Sequence, residues 1–469
     1  MISESFQAIV IGGGPGGYVA GIRLGQHGVK TLLIEKNSLG GECLNRGCIP
    51  SKILITRVNT YWAVKNARWV KADELGVDWQ ELQALKKRIT KRLNLGVKYL
   101  LEQNGVKVVK GEAKLKSESV VSVRLKDGSE KLFEAENIVI ATGGDHISLK
   151  EIPFDGRRVI SSSQALDLPE VPKRLLIVGG GVSGLEIGTM YAKLGSKVIV
   201  VELMNQILPG VEKDLVMVVQ RSLKKLGAEI HTNSRITASK VSGSVVKAAV
   251  EKEGGESFEV EADYAMVAVG KHAATEDLGV EEVDVKLDRR GFIQVNDQMK
   301  TNVSGIYAIG DVTGPPFLAH RASYHGIIAA ENIAGKDMKL GDIIIPSAIF
   351  TDPEIAYAGL TEAEARKKSI EPKVGKFPFM ASGRAVAEEA TEGFIKIVAN
   401  SSTNEVIGCQ MVGAHVSELI SEAVVAIQNK MKLEQFARCI RPHPTFSEAI
   451  TEAAEAALWK PIHLVTRIT

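Results

Sequence analysis

At 469 residues the chain exceeds what one hydrophobic core can hold, because single cores stop growing near roughly 250–300 residues; two to four domains are expected. Hydrophobic residues at 45% and charged residues at 24% exclude a disordered chain. A net charge of +2, with acids and bases mixed and no basic stripe, argues against a nucleic-acid partner.

The N-terminus, Met1-Ile2-Ser3-Glu4-Ser5-Phe6, has no basic region ahead of an apolar stretch, and no apolar run reaches the roughly 18 residues of a membrane span. No membrane partner is expected, and the compartment reads as cytoplasmic. Phe6 to Ile11 is an apolar strand, Gly12 to Gly17 a glycine turn, Tyr18 to His27 a helix, and Thr31 to Ile34 a second strand ending at Glu35. Gly12-x-Gly14-x-x-Gly17 fits a dinucleotide site physically. The first glycine makes the tight turn, the second admits a pyrophosphate, the third lets helix and strand pack, and Glu35 accepts from a ribose hydroxyl.

Next comes Gly40-Gly41-Glu42-Cys43-Leu44-Asn45-Arg46-Gly47-Cys48-Ile49-Pro50-Ser51-Lys52. Four cysteines in so long a chain do not make a secreted disulfide scaffold, and a close pair is more readily catalytic or metal-binding. Residues five apart in a regular helix rise about 7.5 Å, beyond the roughly 7 Å that a disulfide spans. If Cys43 and Cys48 bond, the segment must bend, and Gly47 eases that. Pro50 favours a first helical turn, placing Cys48 at a helix N-terminus where the dipole, Arg46 and Lys52 favour a thiolate. Zinc would want a second Cys/His pair at ligand spacing, and Cys409 and Cys439 do not supply one, so no metal is expected.

Residues 80–104 read as a helix with Leu82, Leu85, Ile89, Leu93, Val97 and Leu100 on its apolar face. Alternation at Val120–Leu125 and Lys131–Phe133 suggests antiparallel strands. The opening pattern then recurs. Leu175 to Val178 leads into Gly179-x-Gly181-x-x-Gly184, and Lys197 to Val201 ends at Glu202. Two fingerprints require two dinucleotides. Glu202 suits a free 2′-hydroxyl, and Leu203-Met204-Asn205-Gln206 carries no arginine for a 2′-phosphate, so this second site should take NAD rather than NADP. Beyond Ile345-Pro346, strands and helices alternate without another fingerprint, marking a third unit.

Taken together, the cysteine segment behind the first fingerprint resembles the pyridine nucleotide-disulfide oxidoreductase family, class I, from Phe6 to Glu455, and within it the branch that oxidises dihydrolipoamide. Ala141-Thr142-Gly143 resembles the crossover back to the flavin domain, and Thr301 to Asp311 the second flavin motif, whose aspartate holds the ribityl chain. Leu318-Ala319-His320 resembles the stretch beside the flavin ring, and His443-Pro444-Thr445-x-x-Glu448 the C-terminal base with its orienting carboxylate.

The resemblance implies an α/β enzyme with FAD and NAD. Its FAD domain would cover 1–150 and 277–346, its NAD domain 151–276, and its dimerisation domain 347–469. It further implies that Lys52 lies near the flavin and pairs with Glu186, and that Gly270 lines the cofactor site. Cys43 would exchange with a lipoyl dithiol and Cys48 face the flavin. His443 would serve the partner subunit of a homodimer, which itself can dock on a 2-oxo acid dehydrogenase complex. The helix Leu419 to Ile427 is expected at the two-fold interface. Glu42 and Arg46 stand where the family commonly has threonine and valine, Gly144 where it has serine, and Arg441 where this branch often has histidine. Lys271-His272-Ala273-Ala274 replaces an arginine followed by proline-asparagine.

Overall fold

Two glycine turns organise the chain, each feeding a strand into a helix. The computed structural model describes residues 2–71 and 74–465. It divides into two units, one running to Val171 and resuming over Val267–Gly341, the other comprising Pro172–Met266 and the chain beyond Asp342.

In the first unit five strands run parallel in the spatial order Lys107–Leu115, Thr31–Glu35, Ile2–Ile11, Glu130–Ile140, Ile306–Ala308. The outer halves of Lys107–Leu115 and Glu130–Ile140 also pair antiparallel with Val120–Leu125, which belongs to the same sheet. The expected short strand at Lys131–Phe133 is therefore much longer. Its second half, Asn137-Ile138-Val139-Ile140, does not alternate because the parallel part of the sheet is covered on both faces, with Ile138, Val139 and Ile140 fully buried. Helices Pro15–Gln26 and Ala319–Ile333 cross in backbone contact, since a Cβ on Gly326 would lie 2.4 Å from the Gly16 carbonyl oxygen. A two-stranded ribbon pairs Gly144–His146 antiparallel with Lys271–Ala273, setting His146 opposite Lys271.

The helix expected over 80–104 spans Trp79–Gln103, capped by the Asp78 side chain accepting from the Glu81 N–H. Leu82, Val97 and Leu101 are buried, but Leu93 and Leu100 are 40% and 48% exposed. Over 25 residues a seven-residue repeat drifts off a straight 3.6-residue helix, so one stripe cannot stay buried along the whole length.

The second unit repeats the parallel theme with strands in the order Glu229–His231, Lys197–Val201, Arg174–Val178, Tyr264–Val267. An antiparallel group of Ser234–Ser242, Val245–Lys252 and Ser257–Ala262 accompanies it. The C-terminal part is a five-stranded antiparallel sheet ordered Ser347–Ile349, Glu354–Gly359, Val406–Gly413, Phe394–Asn400, Pro372–Pro378, covered by helices Val416–Gln428 and Glu448–Ala457. Ile420, Ala423 and Ile427, expected at a subunit interface, are instead in this domain's own core, because a helix on an antiparallel sheet turns its apolar stripe inward. Val425, on the opposite side, is 57% exposed. Among the described residues no helix is long and apolar enough to cross a membrane.

Candidate active site

The two glycine turns are built alike. Gly12 and Gly179 adopt φ of +104° and +102°, a region that side chains rarely enter. A Cβ on Gly17 would stand 1.8 Å from the Gly12 carbonyl oxygen, and one on Gly184 would stand 2.4 Å from that of Gly179, so only glycine lets each helix close on its turn. Gly14 and Gly181 cap the helices beginning at Pro15 and Val182 and are open: the nearest atom to a Cβ on Gly14 is the Gly41 Cα at 3.9 Å, and nothing lies within 4 Å at Gly181. The helix N-termini thus present backbone N–H groups to open space of the kind that a pyrophosphate fills.

Both strand-end carboxylates brace their turns. Glu35 accepts from the Gly13 N–H at 2.7 Å and the Asn37 N–H at 2.6 Å. Glu202 accepts from Gly180 at 2.6 Å and Met204 at 2.8 Å. With the second carboxylate fixed and no guanidinium in the following residues, NADH should exceed NADPH in kcat/KM by at least about tenfold. Steady-state rates with the two nucleotides check this, and equal values would refute the assignment.

Beside the first turn, the hydroxyl of Thr142 is buried and has no partner. An unsatisfied buried hydroxyl costs about 1–3 kcal/mol, so a ligand group there fits the chemistry. Gly143 follows at φ +82° with open space around its missing Cβ. Asp311 lies in the turn Gly310–Thr313, where burial raises its pKa against the opposing charge of Lys271. Ala319 opens the helix Ala319–Ile333 and His320 is exposed in its first turn. Gly270 takes φ +123°, and its carbonyl accepts from the Ile147 N–H. His325 had no motif to reveal it. Burial, with the Arg321 charge, pushes its pKa down to about 4, its Nδ1 accepts from the Gly310 N–H at 3.5 Å, and its Nε2 is buried without a partner.

The cysteine segment breaks where the spacing requires. Helix Gly41–Arg46 stops, Gly47 departs from helical geometry at φ −136° and ψ −108°, and helix Cys48–Asn66 starts afresh. Cys48 is therefore the first residue of a long helix, and the thiol of Cys43 is hydrogen-bonded to it. The segment is seated on the first turn, since a Cβ on Gly41 would lie 2.6 Å from the Gly14 Cα. Asn94 secures it by donating to the Leu39 carbonyl at 2.6 Å, which also accepts from Asn45. The Cys43 pKa is raised by its hydrogen bond to Cys48, by burial and by the Cys48 charge, against the pull of Lys52. Lys52 lies in the first turns of the new helix, while Arg46 is exposed.

Two residues marked as departures from the family pattern meet here. Glu42 is ion-paired with Lys271 at 2.6 Å and with His146 at 3.1 Å, and it accepts from Ser163 at 3.1 Å. Lys271 also approaches Asp311 at 3.4 Å. Burial opposes ionisation of Glu42, but His146 and Lys271 together hold its pKa down at about 2. His146 and Ser163 had no motif to reveal them.

In the second unit Glu186, on helix Val182–Lys193, accepts from the Phe350 N–H at 2.8 Å. His443 Nδ1 lies 2.8 Å from Glu448, whose other oxygen accepts from the Thr445 N–H at 2.8 Å. The carboxylate thus fixes one face of the imidazole and leaves Nε2 outward on a side chain that is 79% exposed. Arg441 holds the loop from below. Almost fully buried, it pairs with Glu422 and donates to Thr451 at 2.6 Å and to the Cys439 carbonyl at 3.0 Å.

Comparison with known proteins gives this geometry its context. Residues 6–326 match the family model described as pyridine nucleotide-disulphide oxidoreductase, and residues 345–454 match that family's dimerisation domain. The chain is 42% identical to dihydrolipoyl dehydrogenase of Haloferax volcanii, covering 99% of each chain, and 41% identical to that of Geobacillus stearothermophilus, covering 98% of each. Among solved structures it superposes on LpdA of Mycobacterium tuberculosis with a TM-score of 0.89 at 30% identity, covering 96% of this chain and 99% of that one. The chain belongs to the pyridine nucleotide-disulphide oxidoreductase family and is an α/β oxidoreductase of dihydrolipoyl dehydrogenase type that works with FAD and NAD.

Proposed function

We propose that the enzyme oxidises the dithiol of a lipoyl group, with Cys43 as the exchanging sulfur and Cys48 as the flavin-side sulfur. The observation that carries this is the broken helix, which brings the two cysteines into contact on the open glycine turn. Bound FAD supplies the two-electron relay between the cysteine pair and NAD.

In the oxidised pair a substrate thiolate attacks Cys43 Sγ, the Cys43–Cys48 bond breaks, and Cys48 leaves as a thiolate. His443 takes the proton of the second substrate thiol, whose sulfur then closes the substrate disulfide and releases Cys43. Cys43 recovers a proton, and the pair has gained two electrons while the substrate has lost two. Glu448 holds the tautomer that leaves His443 Nε2 free to accept. Gly12, Gly14, Gly17, Glu35, Thr142, Gly143, Asp311, Ala319 and His320 serve the flavin in this reading, and Gly179, Gly181, Gly184, Glu202 and Gly270 serve NAD. Lys52 serves the flavin ring in the same reading.

The same reading keeps the functional division of 1–150 with 277–346 for FAD, 151–276 for NAD and 347–469 for a homodimer interface. His443 acts on the partner subunit's cysteines. Support comes from the exposure of that histidine and of apolar residues in the same C-terminal stretch, where Ile440, Trp459 and Ile462 are 99%, 79% and 76% exposed. A lipoyl group carried by a cytoplasmic 2-oxo acid dehydrogenase complex is the substrate form this implies. The test is an assay of the purified holoenzyme with NAD against dihydrolipoamide, glutathione and coenzyme A as thiols. Turnover with dihydrolipoamide well above the other two is expected, and a preference for either of the others overturns the substrate.

A further inference from the structure

Cys43 has an ionised neighbour that thiol exchange does not explain. Glu42 precedes it directly, with a side chain 24% exposed and fixed by three partners: Lys271 at 2.6 Å, His146 at 3.1 Å and Ser163 at 3.1 Å. This fixing is built into the fold. His146 and Lys271 are cross-strand partners in the ribbon Gly144–His146 with Lys271–Ala273, so one register brings both side chains to the same carboxylate. Lys271 lies between Glu42 and Asp311, at 2.6 and 3.4 Å. A single fixed charge so close to a thiol shifts where protons reside, since like charges oppose each other's ionisation.

We infer that Glu42 is a positioning charge for the dithiol: held by Lys271, His146 and Ser163, it directs the one proton of the reduced pair to Cys43 and leaves the negative charge on Cys48. The inference rests on the reading of these cysteines as the redox pair. Breaking the disulfide with two electrons leaves one proton to be shared between two sulfurs. The charged and titratable groups acting on Cys43 include Cys48, Glu42 and Lys52, and Tyr18 in turn feels the Cys43 charge. Of these, Glu42 and Cys48 disfavour a Cys43 thiolate and Lys52 favours one. Without Glu42, one of the charges that oppose a Cys43 thiolate is gone while the pull of Lys52 remains, and the proton would be shared more evenly. Lys271 and His146 favour the ionised form of Glu42 in a half-buried place where burial opposes it. The departures at positions 42 and 271 are then one device rather than two.

The experiment uses the NADH-reduced holoenzyme and follows iodoacetamide alkylation of Cys43 against pH by peptide mass spectrometry. Long-wavelength thiolate–flavin absorbance is read in parallel. For Glu42→Gln the alkylation midpoint should fall by about one pH unit, a tenfold change in proton affinity, and the absorbance at neutral pH should weaken. Glu42→Asp, which keeps the charge, should restore most of both. A purely structural role would lose flavin content and leave the midpoint in place. Should the Gln variant not retain flavin, Glu42→Thr, the side chain common here in the family, carries the same readout. An unchanged midpoint and absorbance in either variant overturns the inference. If neither cysteine of the wild-type enzyme becomes reactive after reduction, the redox-pair reading fails as well, which separates the two failures.

Discussion

Serine in place of Cys43 is expected to lower dihydrolipoamide oxidation by at least roughly a thousandfold, because the variant has no Cys43–Cys48 disulfide for a substrate thiolate to attack. Hydride exchange between NADH and the flavin does not pass through this sulfur, so NADH oxidation by an artificial electron acceptor should persist in the same variant. The two cysteines should differ. Cys43→Ser leaves Cys48 as a lone sulfur at the start of helix Cys48–Asn66, where the helix N-terminus favours a thiolate, and the oxidised protein should already show long-wavelength thiolate–flavin absorbance. Cys48→Ser should show none, even after reduction. The reverse pattern would exchange the roles of the two sulfurs.

The second large effect concerns His443. Alone, His443→Ala should cost about 10²–10⁴-fold in thiol oxidation, the usual contribution of a positioned general base. Co-expression with a Cys43→Ser chain gives the sharper result. If the base serves the partner's cysteines, a heterodimer contains one site with both lesions and one intact site, and it should recover about half of the wild-type rate per dimer. If the base serves its own chain, both sites are damaged and nothing is recovered. Differently tagged chains allow the heterodimer to be isolated and assayed directly. The high exposure of His443 and of Ile440 beside it leads us to expect recovery.

Much of the cofactor architecture was legible because glycine has few reasons to appear at fixed spacing. Each glycine of both fingerprints is accounted for by a turn, an opening or a close backbone approach, Glu35 ends its strand, and Glu202 directly follows its own. The bend between the cysteines followed from helical rise once a bond between them was assumed. What the sequence hid were side chains that meet through pairing across long separations. Nothing local to His146 or Lys271 says that residues 144–146 and 271–273 form one ribbon, so the partners of Glu42 could not be foreseen. Asn94 and His325 were silent for a similar reason, since each touches backbone far away in sequence. The apolar stripe of Leu419 to Ile427 was visible, but amphipathicity names a buried face without naming what covers it. Here it is the domain's own sheet.

The grip of Glu202 on its turn bears on how readily this enzyme could change its nucleotide, by evolution or by design. Both carboxylate oxygens are engaged, one by the Gly180 N–H and the other by the Met204 N–H, and the residue is 6% exposed. An acid at a binding surface is usually free to be exchanged for whatever the new ligand needs. This one is also a strut. Replacing it with alanine removes the repulsion of a 2′-phosphate and, at the same stroke, strands two backbone donors at a buried corner. Adding an arginine at position 203, where Leu203 is 67% exposed, supplies attraction without mending that corner. The mutational route to NADP therefore passes through a destabilised turn before it climbs, eased only in part where glutamine at 202 keeps one acceptor oxygen for one of the two donors. A lineage carrying this turn is conservative about its coenzyme for reasons of architecture as much as of metabolism.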